Sequence, residues 1–314
     1  MKRLLALVLT IAAIALNLLS CGGIGTASSV GGSSKEKRRD YGEYVLIENY
    51  MNYSEKYYTK VLMGEYPQSL KAEDVTVAEE PLEDGYYLGS DGERYARVTV
   101  DLHESDLSRC GCEFEDGKDY YFKVEPIMWS VVERYDDKML LICDKSLYTS
   151  AFGETTSYMK SKVREELNSK FLNTAFTEEQ RKLILPTLVD NSAESAMVDF
   201  GEDCPEDRRD PEEMKNNPNV CPNTEDKIFI LSRSEAYKYR AWLSEVLNET
   251  MYCRAMGICK SSYYWYRSPS INTVWDLMLV EKYYPSARDG IFYGNVRNEN
   301  IGVRPAMWIS ELRW

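Results

Sequence analysis

Strand-like segments fill much of the first half of the chain. Tyr86–Val100 has β-forming residues on both sides of Asp91-Gly92, a dipeptide typical of a hairpin turn. Ile127–Tyr135 and Lys138–Asp144 also have strand composition, and the acidic pair between them, Asp136-Asp137, predicts a second turn. A further strand is predicted just before them, at Tyr120–Val124. The first half therefore predicts hairpin-connected strands.

Helix-like segments follow, and short strands return at the end. Ser157–Phe176 has apolar residues at helical spacing, namely Met159, Val163, Leu167 and Phe171. Thr177 is a predicted N-cap of a short helix through Leu185, and Ser234–Val246 is a predicted helix. Strands are predicted at Asp226–Ser232, Tyr263–Arg267, Val274–Val280, Gly290–Tyr293 and Val303–Ile309. Strands, then helices, then strands indicate an α+β fold and exclude a regular βαβ alternation.

The N-terminus has the composition of an export signal. Within residues 1–20 two basic residues precede an apolar run, Leu4–Leu19, which indicates a secretory signal peptide. A transmembrane anchor is the alternative, but the run is short for a bilayer and a glycine- and serine-rich stretch follows at once. Leu18–Cys21 resembles the bacterial lipobox. We therefore expect cleavage before Cys21 and membrane attachment through a lipid anchor at that residue, because buried acyl chains attach a protein without a spanning helix.

The rest of the chain divides into a tether and a domain. Residues 21–40 are rich in Gly and Ser and predict a flexible tether. Its basic end either contacts anionic head groups or is a solvated linker end, and the second interpretation is favoured. Residues 41–314 predict a single domain. Inserted polar loops are expected at about 71–84, 101–118 and 190–223.

The charge balance limits the classes of partner. The chain has 51 acidic and 38 basic residues, a formal net charge of −13. We predict no nucleic-acid partner, because phosphate binding needs a positive face. A single histidine disfavours histidine-rich metal sites and a Ser-His-Asp triad. The acidic loop between Asp199 and Glu213 lacks EF-hand spacing and contains two arginines, so a solvated loop is favoured over a calcium site. We predict no metal and no cofactor.

Seven cysteines remain besides Cys21, so at least one thiol is free or pairs outside the chain. Disulfides are plausible in an oxidising envelope space. Cys204 and Cys221 bracket a polar loop, and Cys253 and Cys259 bracket a short segment. These two pairs are the candidate disulfides. Zinc is disfavoured, because the spacing does not offer two close cysteine pairs.

An ordered set of segments resembles a family of bacterial domains of unknown function found on secreted and lipid-anchored chains. The segments are GEYPQS (Gly64–Ser69), YYFKVEPIMWSVVE (Tyr120–Glu133), LNSKFLNTAF (Leu167–Phe176), TEDKIFILS (Thr224–Ser232), YWYRSPS (Tyr264–Ser270) and GVRPAMWI (Gly302–Ile309). The resemblance runs from about residue 57 to the end. The chain departs from the family pattern at Tyr264, Tyr266 and Ser270, where the family has Trp, Leu and Gly.

That family is similar in turn to C-type-lectin-like folds, which pair a Trp-rich strand near W-x-R-S with a last strand near G-x-R. The structural signature falls on Trp265, Arg267, Arg304 and Trp308. The resemblance implies a C-type-lectin-like mixed α+β domain with a twisted antiparallel sheet and two or three helices. Proteins of that fold include sugar binders, variable receptors and formylglycine-generating oxidases, so the fold does not choose among functions.

The resemblance also singles out two arginines. Either Arg267 and Arg304 clamp a ligand carboxylate, or they order loops through hydrogen bonds to carbonyls, and the second role is favoured. The binding face is predicted within residues 269–300, where Tyr and Asn combine rigid contact area with adaptable hydrogen bonding. Its ligand-binding candidates are Trp275, Tyr283, Tyr284, Tyr293, Asn295 and Asn298.

Together these features predict a lipid-anchored protein of the bacterial cell envelope, at the outer membrane or cell surface. Its domain is expected to bind protein or glycan without catalysis. The alternative is an envelope enzyme acting on glycan or, like formylglycine-generating oxidases, on thiols. We also expect Val303–Ile309 to be a central strand, with Pro305 at a bulge or strand entry and Trp308 largely buried.

Overall fold

The computed structural model describes residues 35–51, 56–101, 114–198, 212–243, 249–257, 263–271, 276–280 and 291–312. From Glu36 onward these residues belong to one compact unit. Cys21 lies outside the described residues, as does the whole signal segment, so the anchor stays a prediction. Within the described ranges, no helix has both the length and the apolar composition needed to cross a membrane.

Strands make up most of the regular structure, and each is numbered here in chain order. They are Lys37–Asp40 (β1), Val45–Met51 (β2), Tyr57–Leu70 (β3), Val77–Pro81 (β4), Tyr87–Gly89 (β5), Arg94–Thr99 (β6), Asp119–Arg134 (β7), Lys138–Cys143 (β8), Tyr148–Thr149 (β9), Thr187–Val189 (β10), Thr224–Asp226 (β11), Tyr264–Pro269 (β12), Asp276–Val280 (β13), Ile291–Asn295 (β14), Gly302–Val303 (β15) and Ala306–Ser310 (β16). The predicted hairpins at Asp91-Gly92 and Asp136-Asp137 are confirmed as β5–β6 and β7–β8.

The largest sheet is antiparallel and contains nine strands. Its main order is β1-β2-β3-β7-β6-β5-β4, and β8 pairs with both β7 and β16. Strand β7 is long enough to pair with β6 through its first residues, with β8 through its last, and with β3 along the other edge. The structure thus has a mixed α+β fold with a curled antiparallel sheet and short helices, as the order of segments predicts.

A bulge interrupts the pairing of β3 with β7. Gly64 lies at a shift in register and has a φ of 72°, in the left-handed region that favours glycine. Across from it, Pro126 pairs with Glu65, where a missing ladder donor is tolerated beside the bulge. The buried side chains of β7 change phase there, from Phe122 before the bulge to Ile127 after it.

The predicted tether and one of the predicted loops each contain a strand. Lys37–Asp40, predicted as the end of the tether, pairs with β2 as an edge strand although all four of its residues are exposed. Its sequence, KRRD, has no apolar alternation, so the pairing had no hydrophobic signal. Similarly, Val77–Pro81 pairs with β5 inside the predicted loop 71–84. The compact unit therefore begins about five residues earlier than the predicted boundary at 41.

The helices are short. They are Lys162–Glu166 (α1), Leu172–Ala175 (α2), Glu178–Leu183 (α3), Arg233–Lys238 (α4), Arg240–Leu243 (α5) and Met251–Ala255 (α6), with a π turn at Leu167–Phe171 and 3₁₀ turns at Tyr158–Lys160, Glu194–Ala196 and Glu212–Asn216. The predicted cap at Thr177 is confirmed, because its side chain accepts from Gln180 in a capping box. The predicted helix over Ser157–Phe176 begins later than expected, because Met159 precedes α1, lies in a 3₁₀ turn and is 37% exposed.

A second sheet contains the predicted C-terminal strands. Its order is β14-β13-β12-β15-β9, and β12 and β15 pair in parallel. A separate two-stranded sheet joins β10 to β11.

The predicted terminal strand is divided between the two large sheets. Strand β15 lies between β12 and β9, whereas β16 pairs with β8 in the first sheet. The break falls at Arg304-Pro305, so Pro305 lies at a strand entry as predicted. The second edge of β16 is also covered, because it forms bridges with Ile184 and Phe229. The prediction that this segment does not lie at a free edge is therefore confirmed.

Trp308 packs against the core but is less completely buried than its strand neighbours. Its neighbours Met307 and Ile309 are fully buried, but Trp308 is half-buried. Successive residues of a strand point to opposite faces. Trp308 pairs with Leu140, and Lys138, two residues before Leu140, lies diagonally across from Trp308 on the same face. The core beneath it contains Trp129, Trp265, Phe152 and Phe171 among other apolar residues.

Candidate functional site

The first arginine of the signature is used inside the protein. Arg267 is 2% exposed. Its guanidinium donates to both carboxylate oxygens of Glu235 at 2.6 and 2.9 Å, to the carbonyl of Ile230 at 2.7 Å and twice to that of Asp190 at 2.9 and 3.2 Å. All three nitrogens therefore have protein acceptors. This geometry favours the loop-ordering role over a ligand clamp.

The rest of the signature is also mostly internal. Arg304 is 2% exposed, donates from Nε to the carbonyl of Cys143 at 2.7 Å, and lies 5.5 Å from the ring centroid of Tyr264. Trp265 is fully buried, and its indole N–H donates to the carbonyl of Ser150 at 2.7 Å. These contacts connect the end of β15 to β8 and connect β12 to the segment after β9.

The predicted binding face falls largely outside the described residues. Trp275, Tyr283 and Tyr284 are not among them, and of Tyr293 the structure describes the backbone, which pairs with Met278. Asn295 and Asn298 are exposed.

Both of those asparagines shape the turn after β14. Asn295 accepts from the backbone N–H of Arg297 at 2.9 Å, and Asn298 from that of Asn300 at 2.9 Å. Their side-chain carbonyls therefore form local turns, a common role of asparagine. Whether this face binds a ligand stays a prediction.

No disulfide joins the described cysteines Cys143, Cys221 and Cys253 to one another. The predicted partners of the last two, Cys204 and Cys259, lie outside the described residues, and the pairings stay predictions. Burial raises the pKa of Cys143 to about 12 and that of Cys253 well above its usual value, so both stay protonated.

An exposed aromatic surface lies at the β7–β8 turn. We call it the aromatic face and define it by Tyr135, Lys138 and Trp308. The backbone N–H of Tyr135 donates to the carbonyl of Lys138 at 2.8 Å and closes the turn. The rings of Tyr135 and Trp308 stack, with centroids 5.7 Å apart and an interplanar angle of 29°. Lys138 Nζ lies 4.9 Å from the Trp308 centroid and 5.6 Å from that of Tyr135.

A charged depression adjoins this face. Arg134, Tyr135, Asp136, Asp137 and Glu311 line an open depression of about 830 Å³. Arg134 donates from Nε to both carboxylate oxygens of Glu311 at 3.1 Å. The hydrogen bonds from Arg134 to Glu311 are the largest cause of its raised pKa, so Arg134 stays charged. The depression thus presents a fixed cation, carboxylates and an aromatic ring 54% exposed.

Glu133 fixes the inner side of the aromatic face. It accepts from Lys238, from the Tyr239 hydroxyl at 2.7 Å and from the Tyr135 hydroxyl at 3.1 Å. Burial raises the pKa of Glu133, but these three donors together outweigh burial and leave it below its usual value. The ionised carboxylate therefore orients Tyr135 and connects β7 to the end of α4.

The arrangement suits recognition of a surface ligand. An exposed aromatic ring offers rigid apolar contact, while the adjacent carboxylates and guanidinium fix the orientation of polar groups. No group of three or more His, Cys, Asp or Glu residues that could hold a metal ion occurs within the described ranges.

Sequence reasoning missed this site. One local signal could have pointed to it: a tyrosine beside an acidic hairpin turn is expected to be exposed, because turns lie on the surface. The contribution of Trp308 depends on the pairing of Ser310 with Lys138 between distant segments of the chain.

Comparison with known proteins identifies a family, but it identifies no individual relative. The profile of a family described as a domain of unknown function (DUF6273) matches residues 136–311, more than half of the chain. The match begins at the β7–β8 turn and therefore later than the expected start near residue 57. No curated protein and no solved structure matches the chain.

Proposed function

We propose that this chain, which belongs to the DUF6273 family of unknown function, is a lipid-anchored binding protein of the bacterial cell envelope or surface. In this proposal its folded unit binds protein or glycan and catalyses no reaction. The observation that carries the binding role is the aromatic face with its adjoining charged depression. Tyr, Trp and Arg are the residues that most often dominate binding energy at protein surfaces.

The anchor proposal depends on the sequence at Leu18–Cys21 and on residues 22–34, a spacer of small and polar residues before the compact unit. Changing Cys21→Ala should release the protein from membranes into the soluble fraction. A variant that still sediments with membranes would contradict the lipid anchor.

We also propose that the fold is related to C-type-lectin-like folds. The first and last parts of the compact unit lie together, as expected for such folds: the backbone N–H of Leu312 donates to the Tyr44 hydroxyl at 3.1 Å. Strand β15, which precedes Arg304, also lies beside the strand that carries Trp265 and Arg267, because β12 pairs with β15. An experimental structure whose sheet order differs from that of lectin-like domains would contradict the relationship.

The binding test uses a soluble fragment that begins at Glu36, the start of the compact unit. It is screened on glycan and protein arrays, and the affinity for any ligand found is then measured. Tyr135→Ala should weaken binding by roughly tenfold or more, because it removes the exposed ring of the aromatic face. Tyr57→Ala, which removes an exposed tyrosine outside this face, is the matched control. Equal affinities of the two variants would contradict this site and leave residues 269–300 as the candidate.

The alternative function, an envelope enzyme acting on glycan or thiols, gains no support from the described cysteines. Buried, protonated thiols are poor nucleophiles, and Cys143 and Cys253 are both of this kind. Turnover of peptidoglycan fragments or thiol peptides by the same fragment would favour the enzyme.

A further inference from the structure

A buried lysine, serine and aspartate meet beneath the first sheet. The Lys60 side chain is 1% exposed, Ser130 is 2% exposed and Asp144 is 6% exposed. Lys60 Nζ donates to Asp144 Oδ1 at 2.9 Å, to Asp144 Oδ2 at 2.8 Å and to Ser130 Oγ at 2.7 Å. Ser130 Oγ in turn donates to Asp144 Oδ1 at 2.6 Å. The hydroxyl therefore bridges the ammonium and the carboxylate.

The backbone fixes all three groups. Lys60 of β3 pairs directly with Ser130 of β7. Asp144 immediately follows β8, and its backbone N–H donates to the carbonyl of Met128 at 3.0 Å. The rings of Tyr50 and Tyr58 lie over Lys60 Nζ, with centroids at 5.7 and 5.6 Å. The ion pair is thus enclosed by paired strands and aromatic rings.

We propose that Lys60 and Asp144 condense to form an intramolecular amide, a covalent cross-link between β3 and the end of β8. One proton passes from Nζ to Ser130 Oγ as the hydroxyl proton passes to Asp144 Oδ1, giving a neutral amine and a carboxylic acid. The amine lone pair then attacks Cγ. A bond forms between Nζ and Cγ, and the C–OH bond breaks. The leaving hydroxyl takes a second proton from nitrogen, so one water is released and no oxidant or reductant is needed.

Three physical conditions favour this reaction. Both carboxylate oxygens lie within 2.9 Å of Nζ, so the fold already holds the amine and the carboxyl group in contact and the reaction is intramolecular. A buried ion pair carries a desolvation cost that a neutral amide does not. The hydroxyl of Ser130 connects donor and acceptor, which is the role of a proton relay in general acid–base catalysis.

The test is a tryptic digest of the full chain, denatured and reduced, analysed by mass spectrometry. An amidated Lys60 is not a trypsin site, so Tyr57–Lys71 should remain uncut at Lys60 and be joined to Met139–Lys145, with the combined mass lower by one water. Recovery of Tyr57–Lys60 and Met139–Lys145 as separate peptides of unaltered mass would show an ion pair only and overturn the proposal. This measurement needs no variant.

Two variants then test the atoms assigned. Lys60→Arg keeps a cation beside Asp144, and we expect no branched peptide from it. Ser130→Ala removes the relay. The rate of cross-link formation, measured from the fraction of linked peptide at fixed times after synthesis, should fall roughly 10²-fold. A branched peptide in Lys60→Arg would overturn the assignment of Nζ. Unchanged linkage in Ser130→Ala would overturn the relay.

Discussion

Replacing Arg267 by methionine tests the loop-ordering role most directly. Methionine keeps an unbranched apolar stem in the buried position but removes every guanidinium donor. The carbonyls of Ile230 and Asp190 then lose their donors, and the Glu235 carboxylate loses its bidentate partner.

The magnitude follows from those losses. Each buried acceptor left without a donor costs about 1–3 kcal/mol. Leaving the Glu235 carboxylate without Arg267 costs less than leaving a fully buried ion unpaired. Its side chain is 31% exposed and still accepts from the backbone N–H of Ser232 at 2.9 Å. We therefore expect a total loss of about 3–5 kcal/mol, as for other buried ion pairs from which one partner is removed.

Urea unfolding of the wild-type protein and the variant measures this loss. The control is Arg297→Met, which breaks the exposed ion pair with Glu154 and should cost under about 1 kcal/mol. A loss below about 1 kcal/mol for Arg267→Met would refute the reasoning. Arg267 would then be free to bind a ligand, and the carboxylate clamp would become the better interpretation.

Three further predictions concern stability. Trp265→Ala should lower the free energy of unfolding in urea by about 3–5 kcal/mol, and Trp308→Ala by clearly less, because its ring is half-buried. Equal losses would mean that Trp308 contributes to the core as much as Trp265 does. Gly64→Ala should cost about 2–5 kcal/mol, because the backbone has a positive φ and the added Cβ would lie 2.7 Å from a neighbouring ring atom. Gly92→Ala also has a positive φ but open space around it, and should cost about 1–2 kcal/mol. Similar losses for the two variants would contradict the close approach at Gly64. The pKa of Glu133 is lowered on folding, so its stabilising contribution is present above the ordinary value of 4.5 and is lost as pH falls through the folded pKa. Unfolding free energy should therefore fall more steeply in acid for the wild type than for Glu133→Gln, and parallel pH profiles would contradict this.

Local signals predicted local structure well. Turn dipeptides located the β5–β6 and β7–β8 hairpins, and Thr177 located the start of α3, because each depends on residues close together in sequence. The α+β class follows from the order of such signals.

Pairing between distant segments was not predictable from one sequence. The exposure of Trp308 depends on the register in which β16 pairs with β8, because a shift of one residue would turn its side chain to the other face of the sheet. The Lys60–Asp144 pair joins residues 84 positions apart. The aromatic face was missed for the same reason, since one ring lies just before the matched family region and the other lies near the end of that region.

The two ends of that family region meet in space. The backbone N–H of Glu311 donates to the carbonyl of Asp137 at 2.8 Å, and β8 and β16 pair along their lengths just inside the boundaries. A segment whose ends adjoin can be inserted into different host chains without stretching them. The other edge of β8 nevertheless pairs with β7, which lies before the region. In this chain the neighbouring strand comes from outside the family region, and we expect residues 136–311 expressed alone to expose that edge and to self-associate.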